Sequence, residues 1–188
     1  MGKHVTLIEG EMGSGKTNTA VALVVDKYRE NPDIKIFANF HLYGIKAVYR
    51  PTFIEIMQLV NQLNIDECTI VIDESGNEGE SRRGMSAATI LFTQYINQMR
   101  KRKIDLIVIV QNGRLLDWRI SAVKDTRILC DFNEDTNYIK LTIKYLKGVK
   151  RGKEKIVSYY APQYWKYYDT YEPPHMQKRI IEKALQEV

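Results

Sequence analysis

Eight residues constrain this chain more than any others: Gly10-Glu11-Met12-Gly13-Ser14-Gly15-Lys16-Thr17. Their spacing is G-x-x-x-x-G-K-T. They follow the apolar run Val5-Thr6-Leu7-Ile8 and precede a helical pattern over residues 16–29, with Ala20, Leu23 and Val24 on one side and Tyr28 a turn further on. A strand, a glycine loop and a helix in that order form a concave backbone whose amide hydrogens converge with the helix N-terminus. Such a cradle holds the phosphates of a nucleotide. The loop from Gly10 to Thr17 and the next helical residue, Asn18, are therefore expected to bind it. Lys16 would reach the β- and γ-phosphates, and the Thr17 hydroxyl would ligate Mg²⁺.

A metal needs a second anchor. Thr69-Ile70-Val71-Ile72 is apolar throughout and delivers Asp73 and Glu74 at its C-terminal end, where ligands gather in open α/β sheets. Asp73 would hold Mg²⁺ through water, and Glu74 would act as general base on an attacking water. A further apolar segment, residues 104–110, ends in Gln111. Gln111 can place the water beside the γ-phosphate, or it can simply cap a strand where solvent begins.

The rest of the chain alternates strand and helix. Strands are expected at 4–9, 34–38, 69–72, 104–110 and 127–132, and helices at 16–29, 51–63 and 86–101. That rhythm implies an α/β fold with a mainly parallel sheet between two helical layers. After residue 132 the pattern changes. Ile139, Leu141, Ile143 and Tyr145 alternate with Lys140, Thr142 and Lys144, a strand with one wet face, and residues 156–160 are its hairpin partner. A tail helix is expected at 175–186. The 188 residues suit one domain, with a core over 1–132 and the hairpin and helical tail appended over 133–188.

No apolar run approaches the roughly 20 residues that span a bilayer, and the N-terminus has no signal-peptide pattern. A cytoplasmic chain is the expectation. Cys68 and Cys130 lie at the edges of apolar runs and read as buried thiols of a reducing compartment, and no metal-ligand spacing exists among cysteines and histidines. The net charge of +5 hints at an anionic partner. Its distribution says more, because Lys144, Lys147, Lys150, Arg151, Lys153 and Lys155 crowd the hairpin. They can follow nucleic-acid phosphates or guard an exposed edge against aggregation. The aromatic segment 159–174 can stack on bases, or pack against the sheet or a neighbouring subunit.

Taken together, the glycine loop, Val71-Ile72-Asp73-Glu74 and Gln111 resemble P-loop ATPases with a catalytic glutamate after the second-motif aspartate. Residues 98–120, QMRKRKIDLIVIVQNGRLLDWRI, resemble the zonula occludens toxin-like assembly ATPases of filamentous phages. Residues 36–45 resemble their second strand, with Asn39 at the matching polar position. That family belongs to the FtsK–HerA class of DNA-pumping motors, with viral genome-packaging ATPases. The resemblance spans about residues 4–130. It implies a RecA/ASCE-like fold in which the Gln111 strand lies between the loop strand and the Asp73 strand. It also implies ATP and Mg²⁺ as cofactors, a homo-oligomeric (hexameric) ring, and double-stranded DNA as partner, with portal or coat proteins as further partners. Arg100 matches the arginine that would reach a neighbour's γ-phosphate, or it is one member of the solvated run 100–103. Arg119 and Arg82 are reserves. The phage proteins carry a membrane span and this sequence has none, which shifts the expectation toward packaging or virion assembly. Three other readings stay open. One is a small-molecule or nucleotide kinase with residues 77–84 as a lid. Another is a regulatory GTPase, since residues 73–76 fit D-x-x-G although no N-K-x-D motif occurs. The last is a non-motor nucleotide-binding assembly subunit.

Overall fold

The computed structural model describes residues 4–73, 95, 99, 101–111 and 123–169. Eight strands form one sheet: β1 (Val5–Glu9), β2 (Lys35–Ala38), β3 (Ala47–Tyr49), β4 (Cys68–Asp73), β5 (Asp105–Val110), β6 (Thr126–Asn133), β7 (Tyr138–Tyr145) and β8 (Glu154–Tyr160). Their spatial order is β3-β2-β4-β5-β1-β6-β7-β8. The first six are parallel to one another, and β7 and β8 run antiparallel as an appended hairpin. The expected order around the glycine loop is present: β5 lies between β4 and β1.

Among the described residues, two long helices lie on opposite faces of this sheet. Helix α1 (Lys16–Glu30) sets Ala20 and Val24 against Ile8, Val71, Ile107, Ile109, Ile128 and Ile139. Helix α2 (Phe53–Gln62) sets Phe53, Ile56, Met57 and Val60 against Leu7, Ile70, Ile72, Leu106 and Val108. The central strands are apolar on both faces because both are covered, as parallel sheets require. Tyr95 and Met99, of the expected 86–101 helix, join the α2 side; most of that helix lies outside the described residues. The expected tail helix at 175–186 also lies outside them.

One local expectation is corrected. Helix α2 does not begin at Pro51. Thr52 is its N-cap, and the Thr52 hydroxyl accepts from the Glu55 amide while the Glu55 carboxylate accepts from the Thr52 amide. This reciprocal capping box satisfies two donors that an uncapped start would leave bare. A strand that the sequence pattern does not announce is also present: residues 47–49 form the edge strand β3 beside β2, with Phe37 opposite Val48. Three residues carry too little pattern to announce a strand; the long-range ladder makes it one.

Part of the aromatic segment packs inward, on helix α1 rather than on the sheet. Tyr164, in the short helix Pro162–Trp165, is buried against Val21, Ala22 and Val25. Cys68 and Cys130 are both buried and free. Burial pushes the Cys68 thiol up to about 12 and the Cys130 thiol to about 11, so neither is a nucleophilic thiolate near neutral pH.

Candidate nucleotide site

The strand ends needed for a nucleotide site fall on one edge of the sheet. Glu9 pairs with Val110, and Ile109 pairs with Asp73. The glycine loop, Asp73 and Gln111 thus meet at the C-terminal edge of three adjacent parallel strands. Between β1 and α1 the chain turns on glycines that need their freedom. Gly13 and Gly15 have φ of +78° and +84°, the left-handed region. Gly15 also leaves no room for a side chain, since a Cβ there would stand 2.4 Å from Ile139 Cδ1. A Cβ on Gly13 would meet nothing within 4 Å, so the crown of the loop is open to a ligand.

Helix α1 starts at Lys16 with no side-chain cap and no acidic residue in its first turn. Its leading amides are left for an anion. Lys16 is 9% exposed, and its ammonium donates to the Glu11 carbonyl oxygen at 2.6 Å across the loop. Burial lowers its pKa, a cost partly offset by the nearby Asp73 carboxylate. A desolvated cation held by one carbonyl gains more from a phosphate than an exposed lysine would. Glu11 and Met12 lie exposed on the loop, and Ser14 Oγ is buried without a partner.

The Thr17 hydroxyl donates to Asp73 Oδ2 at 3.0 Å. That bond joins residues 56 positions apart and consumes the hydroxyl proton, so a lone pair of Thr17 Oγ1 remains for a cation. Hydroxyl and carboxylate oxygens are hard donors suited to Mg²⁺. The residues present therefore fit a magnesium nucleotide.

Asn39 fixes Asp73. Its side-chain amide donates to the Asp73 carbonyl at 2.9 Å, and its side-chain oxygen accepts from the Asp73 amide at 2.7 Å. The side chain continues the β2–β4 ladder one step beyond the last backbone pair, Ala38 with Val71. The family resemblance marks Asn39 as a polar residue at the end of the second strand; that it holds Asp73 is a finding of the structure.

The side chain of Asn18 turns away from the loop. It is 2% exposed, donates to the Ala161 carbonyl and the Tyr168 hydroxyl, each at 3.2 Å, and accepts from the Tyr159 hydroxyl at 2.9 Å. Only its backbone can face a phosphate. Thr19 extends this network, bonding the Gly15 carbonyl at 2.9 Å and the Tyr159 hydroxyl at 3.0 Å. The pairing of Glu9 with Arg127 at the base of the loop carries no sequence motif. Strand alternation puts it on the face away from α1.

Gln111 stands at the end of β5, half-buried. Glu74, Arg82, Arg100 and Arg119 lie outside the described residues. Two neighbours of Arg100 are tied down: Arg102 bonds Asp66 at 2.8 Å and the Ile65 carbonyl at 2.7 Å, and Lys103 pairs with Glu67. The run 100–103 is therefore only partly a solvated charge cluster. Among the described residues no helix is long and apolar enough to cross a membrane, and no group of three or more acids, histidines or cysteines could hold a metal unaided.

No family model and no curated protein matches the chain. Solved structures do. The N-terminal domain of zonular occludens toxin from Neisseria meningitidis superposes over 90% of this chain and 100% of that one, with a TM-score of 0.67 at 18% identity. The genome packaging NTPase B204 from Sulfolobus turreted icosahedral virus 2, in complex with ATP-gammaS, matches over 82% of this chain and 96% of its own. Its TM-score is 0.59 at 13% identity. The KaiC-like protein PH0186 from Pyrococcus horikoshii OT3 matches over 83% and 89%, with 0.52 and 16%. Sheet order, loop geometry and these likenesses agree that the chain has the α/β fold of the P-loop NTPases.

Proposed function

We propose that this chain is a magnesium-dependent ATPase that drives double-stranded DNA through an oligomeric ring, in viral genome packaging or virion assembly. The observation that carries the ATPase reading is the Thr17–Asp73 bond beside the buried Lys16 ammonium. The motor reading is supported by the fold shared with a genome packaging NTPase solved with an ATP analogue.

In this account the loop amides and Lys16 grip the β- and γ-phosphates, while Thr17 and Asp73 hold Mg²⁺. The ion, when bound, neutralises charge that builds on the phosphate oxygens. Glu74 takes a proton from water as the water oxygen bonds to the γ-phosphorus. The bond from that phosphorus to the β–γ bridging oxygen breaks, leaving ADP and phosphate. Gln111 orients the water. Arg100 of a neighbouring subunit adds positive charge at the γ-phosphate, a role worth about 10³–10⁵ in rate where it operates.

Phosphate release without any acceptor, increased by duplex DNA, is the expected result. Glu74→Gln should keep ATP binding and lose turnover by at least about a hundredfold. Retained hydrolysis in that variant would remove Glu74 from its role. Phosphate appearing on an added nucleoside would favour a kinase instead.

A further inference from the structure

The appended hairpin carries the chain's charge surplus. Residues 140–155 hold seven lysines and arginines against one acid, Glu154. That surplus of six exceeds the net charge of the whole chain, +5, so the remainder is slightly negative. Position within the hairpin separates the two uses of such charge. The last registered pair of β7 and β8 is Lys144 with Glu154, joined by an ion pair of 3.1 Å. Lys147, Lys150, Arg151 and Lys153 lie beyond it, in the turn, where no registered strand pairing continues. Edge protection therefore does not account for them.

The turn is built rather than loose. Gly148 and Gly152 take φ of +76° and +79°, and the Arg151 amide bonds the Gly148 carbonyl at 3.0 Å. The Gly152 and Tyr145 amides tie the two arms at 2.9 and 3.0 Å. Lys150 lies over the Tyr145 ring, 5.2 Å from its centroid. Arg151 and Lys153 have no acidic partner among the described residues. The apex residue, Val149, is 101% exposed. One valine is too little apolar area to anchor a membrane. A stiff two-stranded ribbon ending in clustered cations matches a duplex phosphate backbone.

The root of the same hairpin bears on the nucleotide loop. Ile139 of β7 packs where a Gly15 Cβ would be, and Tyr159 of β8 bonds Asn18 and Thr19. We propose that the turn 146–153 is the surface of this chain that grips duplex DNA, through Lys150, Arg151 and Lys153 on backbone phosphates. The inference rests on the DNA-motor reading above and specifies where the polymer is held.

The test uses the full chain and a fluorescein-labelled duplex of mixed sequence. Replacing Lys150, Arg151 and Lys153 together with alanine should weaken duplex binding about tenfold or more near physiological salt. It should also flatten the slope of log K against log salt by about 2.7, near 0.9 per lost phosphate contact. Binding of an ATP analogue should not change. Should the triple variant fail to fold, Arg151→Ala alone serves, with a slope loss near one. Unchanged affinity and slope would overturn the proposal even if the wild type hydrolyses ATP. Tighter binding to the single strand than to the duplex would overturn it too, as would binding to phosphatidylserine vesicles in place of DNA. Tip-dependent duplex binding in a chain that never releases phosphate would uphold this surface and defeat the ATPase reading instead.

Discussion

Lys16→Ala is expected to lower affinity for ATP by about ten- to a hundredfold, the equivalent of a charge-assisted bond worth roughly 1.5–3 kcal/mol. Turnover should fall by about 10²–10³, because positive charge aimed at the γ-phosphate matters most as charge redistributes. The same change should leave the melting temperature of the nucleotide-free protein equal or higher. The reason lies in the present partners of the ammonium. It is buried, held by the Glu11 carbonyl, and burial lowers its pKa. A cation in that state is a cost to the fold that a ligand repays, so removing it harms function and spares stability. Titration with an ATP analogue and thermal unfolding check the two halves together. A large loss of stability with unchanged affinity would mean that Lys16 is a structural residue.

Gly15→Ala should be strongly damaging for so small a change, costing about 2–5 kcal/mol of stability. Two causes add. The left-handed φ of +84° penalises a Cβ by roughly 1–2 kcal/mol. That Cβ would also meet Ile139 Cδ1 and Cγ1 at 2.4 and 2.8 Å, and overpacking typically costs about 1–3 kcal/mol. Gly13→Ala isolates the first cause, since its φ is similar and the space beside it is empty. It should cost only about 1–2 kcal/mol. In the Ile139→Ala background, Gly15→Ala should lose its steric part, giving a coupling energy of about 1 kcal/mol or more. Denaturant unfolding of the four proteins measures this. Additive effects would show that loop and hairpin are not in contact, and would weaken the link between the nucleotide cradle and the basic turn.

Much of the site was legible because its chemistry is local in sequence. Gly10 to Thr17 sit in one octapeptide, and Asp73 ends an apolar run that reads as a central strand. The hairpin was equally plain, since Ile139, Leu141 and Ile143 alternate and do pack inward. Residues whose partners are distant gave no sign of what those partners are. Asn39 locks Asp73 across 34 positions, and Glu9 meets Arg127 across 118. Asn18, the helical residue expected to bind the nucleotide along with the loop, has a side chain that belongs to the hairpin network around Tyr159 and Ala161. Strand β3 has no periodicity and exists through its pairing with β2. Periodicity reports which face of an element is buried; it does not report which element covers it.

The most direct measurement is a crystal structure of the protein grown with a non-hydrolysable ATP analogue and Mg²⁺. The triphosphate should lie in the loop, with Lys16 Nζ moved from the Glu11 carbonyl to the β- and γ-phosphate oxygens. A cation should be bonded to Thr17 Oγ1, with Asp73 beside it. An analogue bound elsewhere, or Lys16 still on Glu11 with the analogue present, would contradict this account.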